Sequence, residues 1–272
     1  MLAKTFLAIL ASINVTASAP HSIYRTVLAP SVHRYVYQVD QTINGTTHKG
    51  YRTEFDLETE SGAVFANIRS TAELVNGAWK PVVPDAVCRK ELNGGPSSLA
   101  RLQLYPVDPA KAHDLGASFL ALCAPPAIFF PLTDILNVVV IPLGEPFRAN
   151  ELRKVGDKVS FSGFDAGYDR AGEQLQEKSH GGETRLVVLD ARRATLEWRP
   201  LPADLTLVEK TTKPPLTMQG SEHFAFRLDV ERQTGAIERA STIFDDLDLR
   251  IVGAPDSVPH VRISRTVTIE RR

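Results

Sequence analysis

The sequence has no excess of either charge. Its 272 residues include 31 Lys and Arg against 32 Asp and Glu, which gives a formal net charge of −1. Proteins that bind nucleic acids or anionic membrane surfaces generally carry a basic excess, so this balance argues against both classes of binder. With 17 glycines, 18 prolines and a hydrophobic share of 43%, the composition also excludes collagen-like and disordered chains.

Motifs of catalysis, metal binding and cofactor binding are also missing. The sequence contains no HExxH, Walker A or GxGxxG pattern. Residues 160–163 (SFSG) lack the first glycine of a nucleophile elbow, and the seven histidines do not pair at metal-ligand spacing. We therefore assign no catalytic residue, no metal ligand and no cofactor from the sequence.

The first nineteen residues have the three parts of a secretory signal peptide. Lys4 supplies a short positive region, residues 6–15 (FLAILASINV) an apolar stretch, and residues 17–19 (ASA) a small-residue cleavage site. The apolar stretch is too short to span a bilayer. The sequence therefore predicts cleavage after Ala19 and a mature protein that is periplasmic or secreted and not transmembrane.

Export makes the two cysteines informative. Cys88 and Cys123 are the only pair, and an even count in an oxidising compartment favours a disulfide. Closing a loop of about 36 residues would stabilise the fold by roughly 3 to 4 kcal/mol. We therefore predict a Cys88–Cys123 disulfide, with a catalytic thiol as the alternative.

Period-2 alternation dominates the mature chain. In residues 51–60, aromatic, aliphatic and threonine side chains alternate mainly with charged ones, which is typical of an antiparallel strand with one buried face. The Asn-Gly dipeptides at 44–45 and 76–77 are strong hairpin turns. Residues 31–83 are therefore predicted to form a four-stranded meander.

The C-terminal third repeats this pattern. Alternation recurs in residues 186–190, 194–198, 224–230, 236–244 and 261–269. Strands at hairpin spacing predict a mainly β fold, with one curved antiparallel sheet or an open half-barrel. The Gly-rich polar residues 162–182 are predicted to form a loop.

The middle of the chain differs from both ends. Residues 84–150 lose the alternation, and residues 115–144 contain four prolines and a single charged residue, Asp134. The prolines exclude a regular transmembrane helix. We therefore predict one β-rich domain over residues 20–272, with a helical, proline-broken insert at about 84–150 whose short helices cover the concave face of the sheet. The insert would also suit an apolar lid or portal for a hydrophobic ligand.

A nearly uncharged segment of this length must be hidden from water in an exported protein. Exposure would cost about 25 cal/mol per Å² of apolar surface and would promote aggregation. The half-covered sheet offers the matching apolar surface, so both sides contribute candidate ligand-binding residues. Those in the insert are Phe119, Leu122, Ile128, Phe129, Phe130 and Leu136, and those on the strands are Phe55, Phe224 and Phe226.

One acidic cluster admits two interpretations. Asp246 and Asp248 would share one face of a strand and, with Asp245, could supply oxygen ligands to Ca²⁺. The alternative is a solvated strand at the sheet edge, where charge opposes aggregation. We favour the solvated edge and assign no metal site.

These features together resemble the half-barrel proteins of the bacterial envelope, the LolA/LppX-like lipoprotein-carrier group. The resemblance rests on the export signal, the proline-broken apolar insert and the predicted hairpin at 224–241 (FAFRLDVERQTGAIERAS). Proteins of this group wrap a curved antiparallel sheet around helices and hold acyl chains in the apolar cavity between them. The resemblance implies the same architecture here, and no residue-level binding site follows from it.

The function that these features favour is a non-enzymatic carrier or binding protein for a hydrophobic ligand, such as a lipid or an acyl chain. An envelope protein stays open as a further partner, and no cofactor is expected. One alternative is an exported hydrolase whose site assembles only in three dimensions, for instance His180 with Asp165 or Asp169 near Ser162. Another is a structural or interaction module of the envelope.

Overall fold

The computed structural model describes nine parts of the chain. These are residues 31–60, 63–81, 88–91, 104–106, 134, 152–163, 165–170, 173–232 and 236–272. The predicted signal peptide, Cys123 and most of the insert lie outside the described residues, so the signal peptide and the disulfide stay predictions. Among the described residues, no helix is long and apolar enough to cross a membrane.

Fifteen strands account for most of the described residues. They are β1 (Ser31–Ile43), β2 (Thr47–Glu60), β3 (Ala63–Val75), β4 (Ala78–Pro81), β5 (Cys88–Glu91), β6 (Leu104–Pro106), β7 (Lys158–Phe161), β8 (Asp165–Arg170), β9 (Glu173–Lys178), β10 (Gly182–Leu189), β11 (Arg193–Pro200), β12 (Ala203–Glu209), β13 (Leu216–Glu231), β14 (Ile237–Ile251) and β15 (Val261–Arg271).

The turn residues explain the first and last hairpins of the N-terminal meander. Asn44 and Gly45 join β1 to β2 with φ angles of 52° and 70°, and Asn76 and Gly77 join β3 to β4 with φ angles of 52° and 78°. Positive φ at both central residues is typical of a type I′ turn, whose twist matches that of the flanking strands. The predicted four-stranded meander is confirmed.

All strand pairings in the described residues are antiparallel. The main path runs β6-β5-β3-β2-β1-β15-β14-β13-β11-β10-β7, and its two ends are not paired with each other in the part of the chain described. The predicted mainly β fold with an open antiparallel sheet is therefore confirmed. The prediction of a helical insert at about 84–150 is wrong for residues 88–91 and 104–106, which form β5 and β6 and extend the sheet from β3. Asp134 is helical, and the rest of the insert lies outside the described residues.

The sheet divides along β13. Residues 216–222 of this strand pair with β12, whereas residues 226–231 pair with β11 on the same side. Pro200 and Pro202 lie where the chain passes from β11 to β12, and proline cannot donate a ladder hydrogen bond. From this point β12 continues outward through β9 to β8, while β11 continues through β10 to β7.

The prediction of a loop at residues 162–182 is wrong for most of that range. The structure has β8 and β9 there, paired as a hairpin, and β9 pairs along its whole length with β12. The sequence of β9 (EQLQEK) has one apolar residue, Leu175, which lies opposite Leu207 of β12. Backbone pairing with a neighbour outweighs the low β-propensity of such a polar segment.

One face of the sheet is buried and carries two aromatic groups. In the first, the rings of Tyr35 and Phe55 stack with their centroids 5.4 Å apart. In the second, Trp198 is 1% exposed and lies 5.3 Å from Phe224 and 6.4 Å from Phe226. Offset and edge-to-face pairs of this kind stabilise a core beyond the area that they bury.

Candidate functional site

Three of the predicted ligand-binding residues are described, and all three are buried on this same face. Phe55 lies opposite Tyr35, and Phe226 lies opposite Trp198. Phe224 precedes Phe226 by two positions on β13 and is 7% exposed. Their contact with a ligand stays a prediction. The other candidates lie outside the described residues: Phe119, Leu122, Ile128, Phe129, Phe130 and Leu136.

A charged group that sequence reasoning missed lies in the middle of this apolar face. On β15, the alternation Val261, Ile263, Val267, Ile269 includes Arg265 at the position between Ile263 and Val267. The Arg265 side chain is only 13% exposed. The alternation thus places a guanidinium group on the face where the nearest residues of the strand, Ile263 and Val267, are aliphatic.

Arg265 binds two carboxylates there. Its Nη2 lies 2.5 Å from Asp134 Oδ1, and its Nε lies 3.1 Å from Asp245 Oδ2. The Tyr37 hydroxyl donates a 2.5 Å hydrogen bond to the second oxygen of Asp134. Together with Glu222, which acts on the pKa of Asp245, these residues form what we call the acid–arginine cluster: Tyr37, Asp134, Glu222, Asp245 and Arg265.

Strand register explains why these side chains meet. Asp246 pairs with Ser264, so Asp245 and Arg265 are adjacent on β14 and β15. Phe224 pairs with Asp245, and Glu222 precedes Phe224 by two positions, so both carboxylates lie on the same face. Asp134 joins them as the one charged residue of the apolar segment 115–144.

The cluster carries more acidic than basic groups. Burial raises the pKa of Asp245 to about 6, and Asp134 adds to the effect while Arg265 opposes it. Burial and the neighbouring Asp245 hold the pKa of Glu222 well above its ordinary value. For Arg265, burial is outweighed by the nearby carboxylates, which raise its pKa and keep it charged.

We expect the free energy of unfolding to fall as the pH rises from 5 to 7.5. Because the pKa of Asp245 is raised from 3.8 to about 6, the native state binds more protons than the unfolded chain in this range, and stability then decreases with pH. For Asp245 alone the full shift corresponds to about 3 kcal/mol, of which roughly half falls between pH 5 and 7.5, and Glu222 acts in the same direction. Urea denaturation at the two pH values measures the difference.

The Asp245→Asn variant tests the origin of this pH dependence. It should show a smaller change in stability between pH 5 and 7.5. Asp246→Asn, on the opposite face, should retain most of the wild-type change, because Asp246 contributes less than burial to the raised pKa of Asp245. Against the effect of burial, arginine hydrogen bonds lower the pKa of Asp56 and Glu197, so these groups reduce stability only at more acidic pH. An unchanged pH profile in Asp245→Asn would contradict the assignment.

Asp246 and Asp248 share a face, as the alternation predicts, and it is the face opposite the cluster. Ser264 donates a 2.6 Å hydrogen bond to Asp246, and Asp248 pairs with His260 and Arg262. The predicted position at a sheet edge is wrong, because β14 lies between β13 and β15. Within the described ranges, no group of three or more His, Cys, Asp or Glu side chains is placed to hold a metal ion.

The carboxylate that meets His180 is not one of the two considered for a hydrolase. The Nε2 atom of His180 lies 2.8 Å from Oδ2 of Asp204 on β12. The two residues considered, Asp165 and Asp169, lie on β8. Both side chains are open to solvent, at 42% for His180 and 68% for Asp204. The arrangement matches an exposed ion pair between neighbouring strands, which typically contributes little to stability.

Comparison with known proteins gives distant structural similarities. No family model and no curated protein sequence matches this chain. A solved structure described as "lipid-protein interactions in lipovitellin" has a TM-score of 0.39 at 10% identity, over 90% of this chain and 25% of that chain. The structure of DynF from the dynemicin biosynthesis pathway of Micromonospora chersina has a TM-score of 0.25 at 10% identity, over 94% of this chain and 87% of that chain. The LolA/LppX-like resemblance therefore stays a prediction.

Proposed function

We propose that the protein is an exported, non-enzymatic carrier or binding protein for a hydrophobic ligand such as a lipid or an acyl chain. The position of Asp134 carries the proposal. This residue is the single charge of the apolar segment 115–144, and its carboxylate is bonded to Tyr37 and Arg265 on the apolar face of the sheet. The contact brings the one described residue of that segment to the apolar face, which supports the proposal.

The face itself has the chemistry that an acyl chain requires. Phe224, Phe226 and Trp198 form a contiguous aromatic surface, and Leu228 on the same strand is fully buried. Binding sites for apolar ligands are mostly hydrophobic, with few polar groups that fix the orientation of the ligand. The ligand would lie between this surface and the apolar segment, with the acid–arginine cluster beside it.

The two tryptophans of the chain permit a direct test. Trp198 lies on the apolar face, whereas Trp79 pairs with Leu74 on the other face. A brominated fatty acid quenches nearby tryptophan fluorescence, so it should quench the wild type and Trp79→Phe. It should quench Trp198→Phe much less. Native mass spectrometry of delipidated protein, incubated with a membrane lipid extract, should show added lipid masses.

Two results would overturn the proposal. One is a bare protein mass after incubation with every lipid class, together with unquenched fluorescence. The other is equal quenching in the two tryptophan variants, which would place the acyl chain away from the apolar face. Circular dichroism of each variant establishes that the fold is intact before the comparison is made.

A further inference from the structure

Asp245 has a hydrogen-bonding capacity that the protein does not use. Its side chain is 2% exposed, and its Oδ2 faces Arg265 Nε at 3.1 Å. Glu222 lies close enough to affect its pKa by hydrogen bonding, yet Asp245 Oδ1 is buried and has no partner in hydrogen-bond geometry. An unpartnered carboxylate oxygen in a buried site is costly, so this atom is suited to accept a hydrogen bond from a ligand.

The charged groups around Asp245 Oδ1 determine which kind of ligand group could donate a hydrogen bond to it. Asp134 and Asp245 are both ion-paired with Arg265, and the carboxyl groups of Glu222 and Glu177 lie near this group. The Arg265 guanidinium already faces two carboxylates, so it is poorly placed to bind an anionic head group. The local balance therefore favours a positively charged ligand group.

Two glutamates near Asp245 retain partial solvent exposure. Glu222 and Glu177 are partly exposed, on β13 and on β9. They lie near each other because Ala203 pairs with Glu222, while Leu205, two positions further along β12, pairs with Glu177. A ligand head group could therefore approach Asp245 past these two side chains, with its apolar chain along Phe224 and the aromatic residues beyond.

We propose that Asp245 and Glu222 bind the amine or ammonium head group of an amphiphilic ligand whose apolar chain lies on the neighbouring aromatic surface. The inference rests on the proposed function and names its ligand class. An N–H of the head group would donate to Asp245 Oδ1, and its charge would balance the surplus carboxylates. A metal ion fits less well, since the described residues contain no group of ligands placed to hold one.

Binding should be coupled to deprotonation of the cluster. A cation favours the ionised forms of nearby carboxyl groups and lowers their pKa, so binding near pH 6 should release protons. Affinity for the cation should fall as the pH is lowered. The titratable and charged groups that face the head group from the surrounding elements are Tyr37, Asp134, Glu177, Glu222, Asp245 and Arg265.

The test compares three ligands with the same twelve-carbon chain. Dodecylamine, dodecanol and dodecanoate are titrated below their micelle concentrations at pH 7.5 and at pH 5, with binding measured by calorimetry. We expect dodecylamine to bind at least about tenfold more tightly than the other two at pH 7.5, as a charged hydrogen bond implies. This preference should shrink at pH 5, because the pKa of Asp245 is about 6 and its carboxyl group is then mostly protonated.

Matched variants assign the preference to the cluster. Asp245→Asn should lose the preference for the amine while retaining dodecanol binding, and Asp246→Asn on the opposite face should keep it. If Asp245→Asn does not fold, Glu222→Gln should show a reduced preference instead. Equal affinity for the three ligands would overturn the head-group inference and leave the proposed function standing. Failure of all three to bind would overturn both.

Discussion

Replacing Arg265 with methionine is expected to destabilise the fold by about 3 to 5 kcal/mol at pH 7.5. The substitution keeps much of the volume of the side chain and removes its charge. Asp134 and Asp245, whose side chains are 8% and 2% exposed, then lose the guanidinium that binds both. Breaking a buried ion pair from one side is more damaging than removing the whole pair, because the remaining charges stay buried without compensation.

The loss should depend on pH in a defined direction. Without Arg265 the carboxyl groups of the cluster can avoid charge only by taking up protons, and this is easier at pH 5 than at pH 7.5. Urea denaturation at both values should therefore show the larger destabilisation at pH 7.5. The matched control is Arg262→Met, because Arg262 lies on the same strand, points to the opposite face and is 74% exposed. We expect its effect to stay within about 0.5 kcal/mol.

Equal effects of the two arginine substitutions would contradict the cluster as described. So would a loss in Arg265→Met that is the same at both pH values, because it would point to packing rather than to charge. Arg265→Lys separates these contributions further. Lysine retains the positive charge but has one nitrogen in place of the two that face Asp134 and Asp245, so a partial loss is expected.

The second large effect is expected for Trp198→Ala, at about 3 to 5 kcal/mol. Trp198 is 1% exposed and packs between strands, with Phe161 at 6.1 Å and Phe224 at 5.3 Å between ring centroids. Truncation to alanine leaves a cavity that the rigid sheet fills only in part. Urea denaturation followed by far-UV circular dichroism measures the change without relying on tryptophan fluorescence.

Trp79→Ala is the control for this substitution. It removes the same side chain from the short strand β4, where Trp79 is partly exposed on the opposite face. The loss should be clearly smaller, because less buried surface is given up. A loss as large as that of Trp198→Ala would show that the aromatic group around Trp198 is not the more tightly packed part of the sheet.

The strands and hairpins could be predicted because their signals are local. The Asn-Gly turns at 44–45 and 76–77 determine their own backbone conformation, and the alternation in 51–60 spans only neighbouring residues. The strand β9 could not be predicted this way. Its sequence is almost wholly polar, and it is a strand because β12 and β8 pair with it on either side.

The acid–arginine cluster required information that no local pattern holds. Arg265 interrupts an aliphatic alternation, and this signal alone could have marked it as inward-facing. The partners of Asp245 could not be found by counting residues along the strands. The pairing of β14 with β15 shifts between Ser241 and Asp246, and the pairing of β14 with β13 shifts at two further points. The contact with Asp134 joins positions that are far apart in the chain, so only the folded structure reveals it.

The position of β15 in the strand order has a consequence for the timing of folding. β15 lies between β1 and β14 and is the link between the N-terminal meander and the strands that follow. Until residues 261–271 are available, β1 to β3 and β10 to β14 have no ladder between them in the described residues. Sheets that depend on such distant pairings form slowly. A newly made chain would therefore stay incompletely folded until the residues of β15 have been synthesised.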